Sequence, residues 1–256
     1  MKKLKDKKMQ NNFNNKKVVG VILAYKHAGF LRDLYEKIPF GVVDSVFITN
    51  DDSGDGIEEI ARELQIPCFS HARLGYGGNM KYGMQKALEM GADYVVEIHG
   101  DGQYDLAFVE LAIKKMEEER LDLVLGSRFL DSKQALRDEM PIEKYIANVG
   151  LSLIERLVLG VGITEFHTGA RVYSRKAIES VDLSGTSNNF LFGFEIIAQI
   201  IYHNLKIGEV PVRCYYAKEH TTIGFKDSAI YAFLNIKVLS LYIGAKLGFK
   251  TRLFHK

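Results

Sequence analysis

The stretch HGDGQYD, His99–Asp105, follows directly on the apolar run ADYVVEI, Ala92–Ile98. An apolar run of this length that ends in a short polar loop is typical of a buried strand in a parallel sheet. Open α/β sheets bind their ligands at the carboxyl ends of such strands. Asp101 is therefore a candidate metal ligand, because a carboxylate suits a hard ion such as Mg2+ or Mn2+ that is shared with substrate phosphates. The simpler alternative is an Asp-Gly turn between a strand and a helix.

A second acidic loop has the same setting. The segment NDDSGDG, Asn50–Gly56, follows the apolar run VVDSVFIT, Val42–Thr49. A helical pattern separates the two strand-and-loop units, which predicts that both loops lie at one edge of one sheet. Alone, this loop also fits a solvated turn rich in Asp and Gly. Together, the two loops predict a shared site.

Strand and helix patterns alternate along the rest of the chain and predict a doubly wound α/β fold in a single domain. The predicted strands cover residues 18–24, 42–49, 67–70, 92–98, 121–126, 167–174 and 207–216. The predicted helices cover residues 29–37, 57–64, 78–90, 106–119, 142–159 and 194–203.

Seven blocks of sequence, taken in their order along the chain, resemble those of a known family. They are VVGVILAYKHAGFL (18–31), FITNDDSGDGI (47–57), LGYGGNMKYGMQKA (74–87), VEIHGDGQYD (96–105), LGSRFL (125–130), HTGARVYSRKAI (167–178) and FLFGFEIIAQII (190–201). In this order they resemble glycosyltransferase family 2, and within it the dolichyl-phosphate and polyprenyl-phosphate sugar synthases.

The resemblance implies a nucleotide-sugar-binding domain of the GT-A type with a mostly parallel central sheet. It implies a metal-dependent, inverting transfer of a hexose from a UDP- or GDP-sugar in glycan or cell-envelope biosynthesis. The expected cofactor is Mg2+ or Mn2+. The expected acceptor is a polyprenyl phosphate, ahead of a growing saccharide.

The resemblance also assigns roles to residues around the donor. The loop of Asp51 contacts the base or ribose, and the backbone at Ala24 and Tyr25 helps to form the same pocket. Asp101 holds the metal, and Gln103 follows it two residues later.

Three basic residues are candidates for phosphate contacts. Arg128, in LGSRFL, matches a family arginine near the phosphates, and a planar guanidinium suits phosphate oxygens. Its alternative is a surface salt bridge. Arg171 and Lys144 are weaker candidates for the acceptor phosphate.

The chain departs from the family pattern at several positions. His99 stands where many members have the first acid of a pair, so only the carboxylate of Asp101 is certain. His99 could ligate metal, donate to a phosphate or fill space. Asn50 replaces a common acid, and Lys26 with His27 replaces a common Asn-Glu pair, which leaves the base contacts open.

Glu195, in FLFGFEIIAQ, lies where inverting relatives place a functional acid. A hydroxyl acceptor would need it as a general base, whereas a lipid phosphate is already an anionic nucleophile and needs none. The alternative is a buried acid with satisfied hydrogen bonds.

Composition limits the class of protein. At 256 residues, with 47% hydrophobic and 26% charged residues, the chain can bury one α/β core. Its two cysteines make no disulfide framework, which favours the cytoplasm. Residues 1–17 carry seven Lys and one Asp and predict a disordered basic arm, either without a role or attracted to anionic lipids at the inner face of the membrane. No basic patch with interleaved aromatic residues recurs, so nucleic acid is not an expected partner.

The segment Ala229–Phe249 is apolar but interrupted by polar residues such as Asn235 and Lys237. It falls short of an uninterrupted membrane-spanning run and predicts an amphipathic helix on the domain, on a partner subunit or in the membrane interface. The predicted organisation is a tail at 1–17, a transferase domain at 18–225, and a helix with a basic tail at 226–256.

Other function classes fit less well. The glycines of GYGGNMKYG do not make a dinucleotide-binding fingerprint, because the third position is Met80. The turn AYKHAGF lacks the Gly- and Arg-rich loop of nucleotidyltransferases. A degenerate transferase that binds nucleotide sugar without turnover remains open, given the residues that depart from the family pattern.

Overall fold

The computed structural model describes residues 16–131, 133–216 and 225–255. The predicted basic arm lies outside these residues except for its last two, Lys16 and Lys17. The backbone N–H of Lys17 donates to the carboxylate of Asp93 at 2.8 Å. The start of the domain is therefore tied to the residue that precedes the strand of the Asp101 loop.

Seven strands and nine helices form the described part of the chain. The strands are β1 (Val18–Ala24), β2 (Ser45–Asn50), β3 (Cys68–Ser70), β4 (Tyr94–His99), β5 (Leu123–Ser127), β6 (Arg171–Ser174) and β7 (Ile207–Pro211). The helices are α1 (Leu31–Lys37), α2 (Ile57–Glu63), α3 (Gly75–Glu89), α4 (Phe108–Glu119), α5 (Gln134–Arg137), α6 (Ile142–Leu159), α7 (Arg175–Glu179), α8 (Phe192–Tyr202) and α9 (Phe225–Lys246). A short 3-10 turn, Ala28–Phe30, precedes α1.

The strands form one sheet in the order β3-β2-β1-β4-β6-β5-β7. Strand β6 pairs antiparallel with β4 and with β5, and the other four pairings are parallel. The prediction of an α/β domain with a mostly parallel sheet is confirmed. Because only β6 is reversed, its amino end meets the carboxyl ends of the other strands at one edge of the sheet.

Apolar side chains on both faces of the sheet make a three-layer core. One face packs against α1, α2 and α4, with residues such as Leu31, Ile57 and Ile113 wholly buried. The other face packs against α3, α6, α8 and α9. Strands such as β1, VVGVILA, are buried along their full length because helices cover both faces.

Helix α3 begins earlier than predicted, inside the glycine run. A Cβ added at Gly77 would lie 2.6 Å from the carbonyl oxygen of Ser187, and one at Gly83 would lie 2.4 Å from Val21. These glycines let the helix approach the loop before α8 and the face of β1. The predicted start at residue 78 was wrong. Glycine usually disfavours a helix, but here the close packing of the helix requires glycine.

Three predicted strands lose three or more residues at one end in the structure. Strand β7 ends at Pro211, whose ring nitrogen cannot donate to a ladder. The chain beyond it instead meets the Asp101 loop, through a bridge between Tyr104 and Cys214. Strand β2 begins at Ser45 rather than at 42, and β6 at Arg171 rather than at 167.

Helix α9 has two different faces. Asn235, Val238 and Tyr242 are buried, whereas Phe233 and Ile243 are exposed. By length and composition alone, residues 228–246 suffice to cross a membrane, and core helices of soluble proteins pass the same test. The segment thus has the length and composition of a span despite the polar residues that interrupt it, and its burial pattern is that of the predicted amphipathic helix.

Candidate functional site

The carboxyl edge of the sheet gathers the loops after β1, β2 and β4. The strand order reverses between β1 and β4, and open α/β sheets form their ligand crevice at such a point. The backbone N–H of Asp51 donates to the carbonyl of Ala24 at 3.0 Å, and that of Gly100 donates to Leu23 at 2.9 Å. The structure thus brings both acidic loops against the end of β1, as predicted.

The Asp101 loop is a tight turn in which one carboxylate oxygen of Asp101 accepts a hydrogen bond and the other accepts none from the described residues. The N–H of Gly102 donates to the carbonyl of His99 at 3.1 Å, and Gly102 has a φ of +67°. Oδ1 of Asp101 accepts from the N–H of Gln103 at 3.0 Å, which accounts for one oxygen of a carboxylate that is 8% exposed. The Asp-Gly turn and the open carboxylate oxygen therefore occur together.

Gly100 fixes the position of this turn. A Cβ there would lie 2.5 Å from the carbonyl oxygen of Leu23 and 2.9 Å from Nδ1 of His27. That nitrogen of His27 is buried and has no hydrogen-bond partner among the described residues. Burial lowers the pKa of His27, against an opposing contribution from the charge of Asp101. Only glycine fits between β1 and the turn.

His99 is enclosed on several sides. Its Nε2 lies 3.1 Å from Oε1 of Glu97, and its ring meets Tyr76 and Tyr104 at centroid distances of 5.6 and 5.5 Å. The side chain is still 21% exposed. Burial alone would lower the pKa of His99, but the hydrogen bond and the charge of Glu97 outweigh it and raise the pKa.

Glu97 is the centre of a buried polar cluster behind the turn. It accepts hydrogen bonds from the hydroxyls of Tyr76 and Tyr173, and its Oε2 lies 3.9 Å from the guanidinium of Arg171. Burial opposes the charge of Glu97, but Arg171 and His99 together hold the pKa of Glu97 below its ordinary value. The sequence pattern did not single out Glu97, although a carboxylate inside the apolar stretch YVVEI, residues 94–98, was the signal.

The same cluster determines where Arg171 lies. Its guanidinium is packed against Gly193, where a Cβ would come within 2.6 Å, and the residue is 3% exposed. Arg171 is therefore a core residue behind His99, and the structure does not bring it to the surface of the cleft.

The second acidic loop is anchored by its first residues. Both oxygens of Asp51 accept backbone N–H groups, from Leu74 at 2.6 Å and from Gly75 at 3.0 Å. The amide of Asn50 accepts from Ser53 and donates to Glu58 and Ser70. The contacts of Asp51 hold the loop against the start of α3, and those of Asn50 tie it to α2 and β3.

A cleft of about 520 Å³ opens beside this loop. Its walls come from the ends of β2 and β3 and from the start of α2, and include Asp52, Gly54, Glu59 and His71. On the adjoining surface, the guanidinium of Arg73 lies 3.2 Å from the ring centroid of Tyr25. The cleft and this stacked pair offer polar and planar groups of the kind that bind a nucleoside.

Arg128 is held by a buried carboxylate at the end of β5. Its backbone N–H and its Nε each donate to Glu165 at 2.7 Å, and a terminal nitrogen donates to the same carboxylate. The other terminal nitrogen donates to the hydroxyl of Tyr216 at 2.7 Å. Burial opposes the charge of Arg128, but Glu165 more than compensates and raises its pKa. This is a buried ion pair rather than a surface salt bridge.

Lys144 lies near Arg128 at the start of α6. Burial lowers the pKa of Lys144, and the positive charge of Arg128 lowers it further, against Glu143. The rings of Phe129 and Tyr145, which neighbour these two residues in sequence, pack at a centroid distance of 5.5 Å. Two cations therefore share one region at the carboxyl edge of the sheet.

Glu195 lies elsewhere, at the start of α8. It is wholly buried and accepts from the N–H of Ser187 at 2.5 Å, from the Ser187 hydroxyl at 3.0 Å and from Arg252 at 3.1 Å. These contacts join the loop before α8 to the residues after α9. They match the interpretation of Glu195 as a buried acid with satisfied hydrogen bonds.

The residues of the Asp101 turn suit a divalent ion shared with a substrate. In residues 16–131, 133–216 and 225–255, no three His, Cys, Asp or Glu side chains come together as a closed metal site. The free oxygen of Asp101 and the second ring nitrogen of His99 are available at the turn. An ion that is completed by phosphate oxygens and water needs only one or two protein ligands.

Together, the sheet, the two acidic loops and the basic pair at its carboxyl edge describe the class of α/β proteins that bind an activated, phosphate-bearing substrate. The model of Glycosyl transferase family 2 matches residues 11–182. The chain belongs to this family and is a glycosyltransferase, so the predicted family and activity are confirmed.

Two relatives and one solved structure illustrate the similarity. The chain is 26% identical over 242 residues to the UDP-N-acetylglucosamine–dolichyl-phosphate N-acetylglucosaminyltransferase of Methanococcus voltae, covering 85% of this chain and 95% of that protein. It is 27% identical over 175 residues to the polyprenol monophosphomannose synthase of Mycolicibacterium smegmatis, covering 65% of each. Glucosyl-3-phosphoglycerate synthase of Mycobacterium tuberculosis, crystallised with Mn2+, UDP and glucosyl-3-phosphoglycerate, shares the fold with a TM-score of 0.64. That match has 16% identity and covers 93% of this chain and 82% of the other.

Proposed function

We propose that this glycosyltransferase moves a hexose from a nucleoside diphosphate sugar to a polyprenyl phosphate, with inversion and with a divalent metal. The observation that carries the proposal is the position of the basic pair. Arg128 follows β5 at the same sheet edge as Asp101, and Lys144 lies in the first turn of α6, whose outer face is apolar. A phosphate on a lipid chain has this combination of charge and apolar surface.

The donor side rests on the two acidic loops. Asp101, with Gln103 behind it, would hold the ion and through it the diphosphate, and the ion would supply positive charge as the leaving group forms. The cleft beside Asp52 would take the nucleoside, with the backbone of Ala24 and the ring of Tyr25 at its border. The relative of Methanococcus voltae, whose name gives UDP-N-acetylglucosamine as its donor, supports this donor class.

The acceptor side rests on Arg128 and Lys144. A phosphate oxygen would attack the anomeric carbon from the face opposite the diphosphate, and the bond from that carbon to the diphosphate would break. The anionic nucleophile needs no general base. That agrees with the contacts of Glu195, whose oxygens are occupied by Ser187 and Arg252.

The exposed apolar residues support a lipid surface. Twelve of the eighteen exposed large apolar side chains in the described residues belong to α6, α9 and the two positions 247 and 249. On α6 they recur at helical spacing, at Ile142, Ile146, Val149, Leu153 and Leu157. A contiguous apolar face of this kind marks an interaction surface, here the inner face of the membrane.

The test is a transfer assay with the full chain. Radiolabelled UDP-GlcNAc, UDP-glucose and GDP-mannose are each offered with Mn2+ and either a polyprenyl phosphate in vesicles or a soluble oligosaccharide. Label that moves into the organic phase supports the proposal, and label only on the oligosaccharide replaces the lipid acceptor. Tight nucleotide binding without release of nucleoside diphosphate would instead indicate a degenerate, non-catalytic binding protein.

A matched pair of lysine variants separates the acceptor site from general charge effects. Lys144→Met should raise the KM for the lipid phosphate and leave the KM for the donor unchanged. Lys115→Met is the control, because Lys115 lies on α4 and pairs with Glu119. Equal effects of the two substitutions would remove Lys144 from the acceptor site.

A further inference from the structure

The imidazole of His99 is fixed through one of its two nitrogens. Nε2 lies 3.1 Å from a carboxylate oxygen of Glu97, which can only accept, so Nε2 carries the proton. Glu97 is itself immobilised, because its oxygens also accept from Tyr76 and Tyr173 inside the core. The ring therefore has a set orientation and a set tautomer.

In the neutral imidazole the other nitrogen, Nδ1, has a lone pair, and it has no hydrogen-bond partner among the described residues. It is not among the buried polar atoms without a partner. It lies at the part of the side chain that reaches solvent. Nδ1 and Nε2 point to opposite sides of an imidazole ring, so Nδ1 is directed away from Glu97.

The turn brings Asp101 to the same place. The hydrogen bond from Gly102 to the carbonyl of His99 closes residues 99–102 into a tight turn. The charge of Asp101 acts in the same direction as Glu97 and raises the pKa of His99. The nitrogen lone pair of His99 and the free carboxylate oxygen of Asp101 thus belong to one four-residue turn.

We infer that His99 is a metal ligand through Nδ1, and that Glu97 is a positioning residue that orients it. A ligating histidine typically donates its other N–H to a carboxylate, and this is the arrangement of His99 and Glu97. The inference rests on the proposed function, because the ion is the one that holds the donor diphosphate.

A mixed nitrogen and oxygen site has a consequence for metal choice. Mg2+ prefers oxygen ligands, whereas imidazole suits transition metals. Compared with a site made of two carboxylates, this site therefore favours Mn2+ over Mg2+. Glu97 enforces that preference by keeping the nitrogen in place.

The experiment measures the ligand directly by electron spin echo spectroscopy of Mn2+ bound to the full chain with UDP, and with GDP in a parallel sample. The expected result is a nitrogen coupling that changes from the 14N to the 15N pattern when histidine is isotopically labelled. His99→Asp should abolish the coupling and lower the preference for Mn2+ over Mg2+ measured by competition. His203→Gln is the control, since His203 lies at the end of α8, and should leave the coupling unchanged.

Glu97→Gln should keep the coupling but weaken Mn2+ binding about 10- to 100-fold. If that variant fails to fold, as a melting curve would show, His99→Asp and His99→Ala still carry the test. Mn2+ and nucleotide that bind without any histidine coupling would overturn the inference and leave the proposed function standing. Failure of both nucleotides to bind with Mn2+ would overturn the proposed function as well.

Discussion

Asp51, the first residue after β2, accepts a hydrogen bond of 3.0 Å from the backbone N–H of Gly75, the first residue of α3. Its other oxygen accepts from Leu74 at 2.6 Å, and the residue is 2% exposed. The carboxylate therefore fixes the acidic loop to the start of a helix that faces the same sheet edge. Asp51 would therefore affect nucleotide binding indirectly, by holding the loop in its conformation.

Asp51→Asn is expected to weaken donor binding more than chemistry. The amide leaves one of the two backbone N–H groups without an acceptor, which costs on the order of 1–3 kcal/mol of folding free energy. The KM for the donor should rise while kcat changes little, because the loop contacts ground state and transition state alike. Asp33→Asn is the control, since Asp33 is an exposed residue on α1, away from the cleft. A fall in kcat alone, with an unchanged donor KM, would contradict this role.

Asp101→Asn is expected to abolish turnover in a folded protein. The asparagine oxygen can still accept from the N–H of Gln103, so the turn survives, but the negative charge for the ion is lost. The measurement is the release of nucleoside diphosphate, together with a melting curve, and EDTA should have the same effect on the unaltered chain. Asp105→Asn, in the same loop, should retain activity. Wild-type rates in folded Asp101→Asn would remove Asp101 from the site.

The sheet and its acidic edge could be predicted because they depend on local signals. Apolar runs marked β1, β2 and β4, and the loops after them were polar. The partners of the site residues could not be predicted. Glu165 meets Arg128, and Glu97 meets Arg171, because β6 is inserted antiparallel between β4 and β5. Arg171 is an example. Its sequence motif predicted a contact with a phosphate, whereas its position in β6 places it beside the buried carboxylate of Glu97.

The Arg128–Glu165 pair allows structure and function to be separated. Arg128→Met leaves the buried carboxylate of Glu165 unpaired, which should cost about 3–5 kcal/mol of folding free energy. Adding Glu165→Leu removes that carboxylate and should restore much of the stability, as measured by chemical denaturation. Activity should stay low in the double variant if Arg128 contacts a phosphate. Recovery of both stability and activity would show that Arg128 has only a structural role.

The apolar face of α6 should determine whether the protein meets a membrane. The intact chain is expected to sediment with anionic vesicles at low salt, and binding should fall as salt rises, because exposed charges are screened beyond about 8 Å at physiological ionic strength.

Ile146→Asp with Leu157→Asp should weaken the vesicle binding at every salt concentration, because both side chains are exposed on one stripe of the helix. Leu111→Asp is the control, since Leu111 is also apolar and exposed but lies on α4. Removing residues 1–15 takes away five lysines and leaves the contacts of Lys16 and Lys17 with Asp93 in place. It should therefore reduce mainly the part of binding that depends on salt. If the intact chain ignored anionic vesicles even at low salt, the lipid phosphate would lose its physical support, and a soluble saccharide acceptor would become the leading account.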